Sequence, residues 1–227
     1  MATSAVAVVT GACGELGLET ARWLARDHHV VLSDPSRERL HRALDRLDSL
    51  GVSAESIVAD VTDRRSVEVL MAAASSAGHV ATVVHAGGTT SPSDSPDSII
   101  RTRVLGTINV TAATLAVAGI GTTLVHATAR STPHVLTKLP HWAFRLAPTD
   151  PEGLASALGR LASVAPARLA PAVAHTLSGT FVDWYTQRMG RVFRESGARL
   201  HPVDGDAVVQ MCRSGLAPAH PLAASAA

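Results

Sequence analysis

The sequence has one tyrosine, Tyr185, and one lysine, Lys138, among 227 residues. No site that needs these two side chains one helical turn apart can exist in it. Cysteine is almost as scarce: Cys13 and Cys212 stand far apart and without metal-ligand spacing, which fits a reducing, cytoplasmic setting. Charge of one sign is lacking too, with a net charge of +1 and no recurring basic cluster, so neither a nucleic-acid surface nor an anionic-membrane surface is expected. No apolar run approaches the ~20 residues of a spanning helix, and no charged segment followed by an apolar run opens the chain. A soluble protein is expected. Eleven histidines are present, yet none pairs at HxxxH or HExxH spacing, so they are read as scattered rather than metal-binding.

What is plentiful is short β-branched runs alternating with longer amphipathic ones. Strands are expected at 5–9, 29–32, 56–59, 81–85 and 122–126, and helices at 17–26, 37–50, 64–77 and 98–118. That rhythm is βαβαβ repeated, which predicts an α/β fold with a doubly wound parallel sheet. Prolines at 133, 140, 148, 151, 166 and 171 then break the order. An irregular excursion is expected over 130–173, with one helix at 152–162. A long helix at 174–196 and a strand at 198–203 restore the pattern. The chain is read as a single domain over 1–211, with a low-complexity, disordered tail at 212–227.

The stretch TGACGELG, residues 10–17, falls where the first strand turns into the first helix. There Gly11, Gly14 and Gly17 permit a tight turn and let backbone N–H groups approach a pyrophosphate, which the helix N-terminus favours. Asp34 ends the second strand, in VVLSD, and is placed to accept hydrogen bonds from ribose hydroxyls. A plainer alternative stays open, in which the glycines serve only the turn and Asp34 caps the second helix.

These stretches resemble the short-chain dehydrogenase/reductase family. TGACGELG is similar to its glycine loop, ADV at 59–61 to the segment whose Asp touches adenine, VVHAGG at 83–88 to its strand-four motif, and VLGTINVTAA at 104–113 to its helix-four pattern. The resemblance implies a Rossmann-like sheet of six strands, the family's last strand being absent. It implies a nicotinamide dinucleotide held by Gly11, Gly14, Gly17, Asp34, Asp60, Val61, Ala86 and Gly87. Asp34 favours NAD over NADP, because its carboxylate repels a 2′-phosphate, and Arg37 lies close enough to soften that preference. Glu15 departs from the family's loop and is tolerable beside a pyrophosphate only if it turns to solvent.

The family's catalytic set is Asn, Ser, Tyr and Lys, the last two as YxxxK. Two segments compete for that place. HVLTK, 134–138, keeps the lysine with His134 for the tyrosine, but Pro140 interrupts the helix that should carry it. HTLSG, 175–179, has His175 for the tyrosine, Ser178 retained and Gly179 for the lysine, with a continuous helix after it, and is preferred. Thr128 stands near the expected serine, and Arg103 replaces the asparagine, with a solvent-facing arginine favoured over an anion grip. His175 and Thr128 are the candidate catalytic residues. The readings are a degenerate family member acting as a partner subunit, a divergent oxidoreductase using His175 or His134, and a lyase, isomerase or cyclase built on the same pocket. Phe181, Trp184, Tyr185 and Phe193 spread around more of the long helix than one buried face requires. A homodimer, or a heteromer with a related subunit, through 98–118 and 174–196 is expected to cover the surplus, unless the 130–173 excursion folds back over it.

Overall fold

The β-branched runs form six parallel strands in a computed structural model that describes residues 5–87, 94–128, 144 and 149–214. In chain order the elements are β1 (Ala5–Thr10), α1 (Glu15–Leu24), β2 (His29–Asp34), α2 (Arg37–Asp48), β3 (Glu55–Val58), α3 (Arg64–Ala77), β4 (His79–His85), α4 (Pro96–Val117), β5 (Thr123–Thr128), α5 (Pro151–Ser163), α6 (Ala170–Glu195), β6 (Arg199–Asp204) and α7 (Gly205–Arg213). The sheet order is β3-β2-β1-β4-β5-β6, every neighbouring pair parallel. The α/β doubly wound expectation therefore holds. The order reverses between β1 and β4, and there a crevice opens outside the carboxyl ends of the strands.

Strand alternation feeds two cores. Val6 and Val8 of β1 face a layer made by α3, α4 and the end of α6, while Ala7 and Val9 face α1, α2 and α7. Side chains stop the helices from fraying at their starts: Ser36, Asp63, Ser95 and Asp150 each accept a backbone N–H at an N-terminus. Ser36, and not Asp34, caps α2.

A third core lies outside the sheet. α5 packs across α4 and α6, and Leu154, Ala155 and Leu158 meet Ile100, Val104, Leu177 and Phe181. Phe144 is fully buried there, edge-on to Phe181 with ring centroids 5.5 Å apart. Phe181 in turn stacks on Tyr185. Much of the aromatic surplus on α6 is thus covered within the chain, by α5 and Phe144, while Trp184 stays partly exposed and Val192 exposed. α4, covered by the sheet on one side and by α5 on the other, is buried around most of its girth, which is why it carries so weak a polar face.

Two expectations need correction here. α6 begins at Ala170, four residues ahead of the expected start, with Pro171 in its first turn, where a missing N–H costs nothing. α7 was not expected, and Cys212 and Arg213, assigned to a disordered tail, are its last residues. Val208 and Cys212 are buried in the core shared with α1. Residues 215–227 lie outside the described residues.

Candidate functional site

The turn after β1 is built by two close approaches. Gly11 has φ +67°, and a Cβ there would stand 2.8 Å from Gly87 Cα. A Cβ on Gly17 would stand 2.6 Å from Ala12 Cα, so the first turn of α1 rests directly on the loop. Gly14 is the N-cap of α1 and offers no side-chain acceptor, in contrast with the capped starts of α2 to α5. The first N–H groups of α1 are left to a ligand or to solvent. Glu15 is exposed, the orientation in which it is compatible with an anion at this end. Ala86 is buried and donates its N–H to Thr10, locking the ends of β1 and β4 together.

A cleft of about 210 Å³ opens at this place, and Gly11, Asp34, Asp60, Val61 and Gly87 line it. Five of the eight expected cofactor residues are thereby gathered. Gly14 and Gly17 shape the turn, and Ala86 shapes the strand end. Asp34 is 3% exposed. Its Oδ1 accepts from the Ser36 N–H at 3.0 Å, and its Oδ2 lies 3.5 Å from Arg39 Nη2. Arg39, not the exposed Arg37, is therefore the cation beside it. Burial, and then the Asp34 carboxylate, push the Cys13 thiol up to about 12, so it stays protonated. Asp60 Oδ1 accepts from both the N–H and the hydroxyl of Thr62 at 2.8 Å.

A sequence model of short chain dehydrogenases matches residues 5–126, just over half of the chain. The chain belongs to the short chain dehydrogenase family. It is 41% identical over 70 residues to the human mitochondrial dehydrogenase/reductase SDR family member 2, a match covering 30% of this chain and 25% of that protein. The match thus spans only a quarter of the curated relative's length. Among solved structures, the fold is similar to a metagenomic short-chain oxidoreductase in complex with NADP (18% identity, 95% of this chain and 91% of that one, TM-score 0.64). It is similar also to a variant of actinorhodin polyketide ketoreductase with NADPH (24% identity, 90% and 71%, TM-score 0.57). Neither neighbour lends support to a preference for NAD.

Beyond the glycine turn stand the residues expected to be catalytic. His175 is half-buried near the start of α6. Burial first, then the charge of Arg103, hold its imidazole below the usual range, and Asp94 pulls the other way. Arg103 is 3% exposed, which corrects the expectation of a solvent-facing arginine. Thr128 ends β5, level with Asp204 of β6. Ser178 is fully buried and donates back to the Ala174 carbonyl at 2.7 Å, so its hydroxyl is engaged within the helix. Tyr185 lies in the α4–α5–α6 core, where burial pushes its phenol up to about 12. His134 and Lys138 lie outside the described residues.

Under the turn lies a histidine pair that no motif in the sequence had singled out. His85, the last residue of β4, and His126 of β5 stand in register, with ring centroids 5.3 Å apart and edge to face. His85 Nδ1 lies 2.7 Å from the Thr10 hydroxyl, and His126 Nε2 lies 2.8 Å from that of Thr111. Burial, with Arg103 adding to it, brings His85 down to about 3, so both it and its similarly depressed neighbour are neutral. The repeated Val-His-Ala in VVHAG and LVHAT was the available signal. A larger cleft, about 480 Å³, lies by Arg22, Trp23, Arg26 and His29. It sits at the amino ends of the strands, the wrong end of the sheet for the glycine turn.

Proposed function

We propose that this family member binds a nicotinamide dinucleotide in the Gly11–Gly87 cleft and uses His175, in place of a tyrosine, to accept the proton of an alcohol substrate. One observation supports the reading: Asp94 lines the cleft, and its charge also acts on the His175 imidazole, so the titratable group lies within electrostatic reach of the cleft wall. The residues fit the group. Gly11 and Gly17 let the turn close tightly against Gly87 and Ala12, α1 presents uncapped N–H groups, and Asp34 and Asp60 offer carboxylate acceptors. When bound, the dinucleotide supplies the hydride acceptor.

The direction of proton transfer follows from the environment of His175. An imidazole held below its usual range is neutral near pH 7, hence an acceptor and a poor donor. Alcohol oxidation is accordingly favoured over ketone reduction. NAD and NADP are decided at one corner, where Asp34 opposes a 2′-phosphate and Arg39 attracts one. The scarcity of cysteine supports a reducing, cytoplasmic setting. The test is calorimetric titration with each dinucleotide, then a secondary-alcohol screen comparing wild type with His175→Ala. A loss of about 100-fold or more is expected. The wild-type rate should fall as acid protonates the imidazole, below the usual histidine range. A His175→Ala chain with the wild-type rate would remove His175 from the chemistry.

A second reading has support in the placement of Tyr185 inside a helical core: a partner subunit that binds the dinucleotide without turning it over. Dinucleotide binding without turnover alone, and an altered rate when a related subunit is coexpressed, would select it.

A further inference from the structure

α6 presents a single stripe to α4. His175, Gly179 and Asp183 follow one another at four-residue steps, so they share one face. Arg103 of α4 faces the middle of that stripe: its Nη2 stands 3.9 Å from where a Cβ on Gly179 would be. The Asp183 carboxylate, one turn further on, interacts with the guanidinium, and the His175 imidazole, one turn back, feels its charge. From β4, His85 feels it as well. A buried guanidinium is costly to hold without a carboxylate and polar neighbours. Here it is flanked by Asp183 and two neutral imidazoles. A methyl at 179 would only touch the guanidinium at ordinary contact distance, so it is a longer and charged side chain that the position disfavours. A lysine at 179 would enter the same space and set a second cation against the first.

We propose that Arg103 is the fixed cation of the reacting end, lying beside Gly179 between His175 and Asp183, and that Arg103 and a lysine at position 179 exclude each other. The positive charge that family members carry on the helix of the tyrosine comes here from the neighbouring helix. Arg103 is then a positioning residue: it acts through His175, adding to burial, and against Asp94, in keeping the imidazole neutral and receptive to a proton. The inference rests on the reading of His175 as part of the reacting end, but its test does not require turnover.

Four chains decide it: wild type, Gly179→Lys, Arg103→Asn and the double variant. Gly179→Lys alone should lower Tm by about 5 °C or more, and adding Arg103→Asn should restore most of the loss. A Gly179→Lys chain that folds only with Arg103→Asn supports the proposal equally. A double variant no more stable than Gly179→Lys overturns it. The second readout is the His175 ring proton signal in an NMR titration, assigned with His175→Gln. Its midpoint should move up in Arg103→Gln and stay low in Arg103→Lys. An unmoved midpoint in Arg103→Gln overturns the proposal. If no dinucleotide binds to wild type, the functional reading fails while both of these measurements still judge the seat of Arg103.

Discussion

At Asp34 a carboxylate and a guanidinium share one corner of the cleft, and the balance between them sets which dinucleotide is preferred. The carboxylate is held in place by the Ser36 N–H and by Arg39. Replacing Asp34 by Ser removes the repulsion of a 2′-phosphate and leaves Arg39 to attract it. The ratio of NADP to NAD affinity should rise about tenfold, and Arg39→Glu should lower it comparably. Calorimetry with both dinucleotides reads this directly, and a ratio unchanged in both variants would mean that neither side chain faces the ribose. A second residue-scale prediction concerns His85. Its imidazole takes up a proton near 6.5 in the unfolded chain but only near 3 in the fold. The stability it contributes is full above pH ~6.5 and is lost as pH falls towards 3, because the unfolded state then binds the proton first. Urea unfolding between pH 7 and 4 should show the wild type losing stability more steeply than His85→Gln. Superimposable profiles would place the acid sensitivity elsewhere. Gly11 and Gly17 were legible in the sequence because few residues satisfy so tight a strand-to-helix turn, Asp34 because it ends the second strand, and Asp60 only through the family resemblance. Arg103 was not, since an arginine on a helix says nothing of what covers that helix.

The helices were legible wherever one face is wet. α1 to α3 announce themselves through a polar face and β1 to β5 through short β-branched runs, most of them buried on both faces, and their ends fall within a few residues of those expected. α4 was found from its apolar length, but its orientation could not be read, because burial on both sides removes the polar face that fixes it. α7 was missed for the opposite reason. It is nine residues long, starts at a glycine, and runs into an alanine- and proline-rich segment, so its only signal was Val208 and Cys212 one turn apart. α4 reaches the cleft through Asn109, whose Nδ2 donates to the carbonyls of Val61 at 2.9 Å and Thr62 at 3.1 Å. This fixes the loop after β3, which forms one wall. Asn109→Ala leaves both carbonyls short of a donor and should cost about 1–3 kcal/mol. Denaturant unfolding should show that loss, and dinucleotide titration a weaker affinity. A variant as stable as wild type would show that the loop holds itself.

At the scale of the molecule, α5 covers part of the α4–α6 surface through which the sequence led us to expect a partner. The prolines around it made 130–173 look like a detour, and nothing in their spacing tells where the helix inside comes to rest. It rests on α4 and α6, burying Leu154, Ala155, Leu158 and Ala162 against the aromatic stripe. At about 1.5–3 kcal/mol for each large apolar side chain, that contact is substantial beside a total stability of about 5–15 kcal/mol. A related subunit docking through 98–118 and 174–196 would have to displace it. The wild-type chain is therefore expected not to self-associate through this face. Leu158→Asp places a carboxylate in the contact and should lift α5 from its seat, exposing Phe181 and the apolar side of α4. The variant should then bind a hydrophobic dye and associate, visible as a rise in mass by light scattering while the wild-type mass stays that of one chain. A wild-type dimer whose mass is insensitive to Leu158→Asp would show that its interface lies away from this face. A wild-type dimer that Leu158→Asp dissociates would show that α5 itself belongs to the interface, and the account of α5 as an internal cover would give way to one in which it recruits the partner.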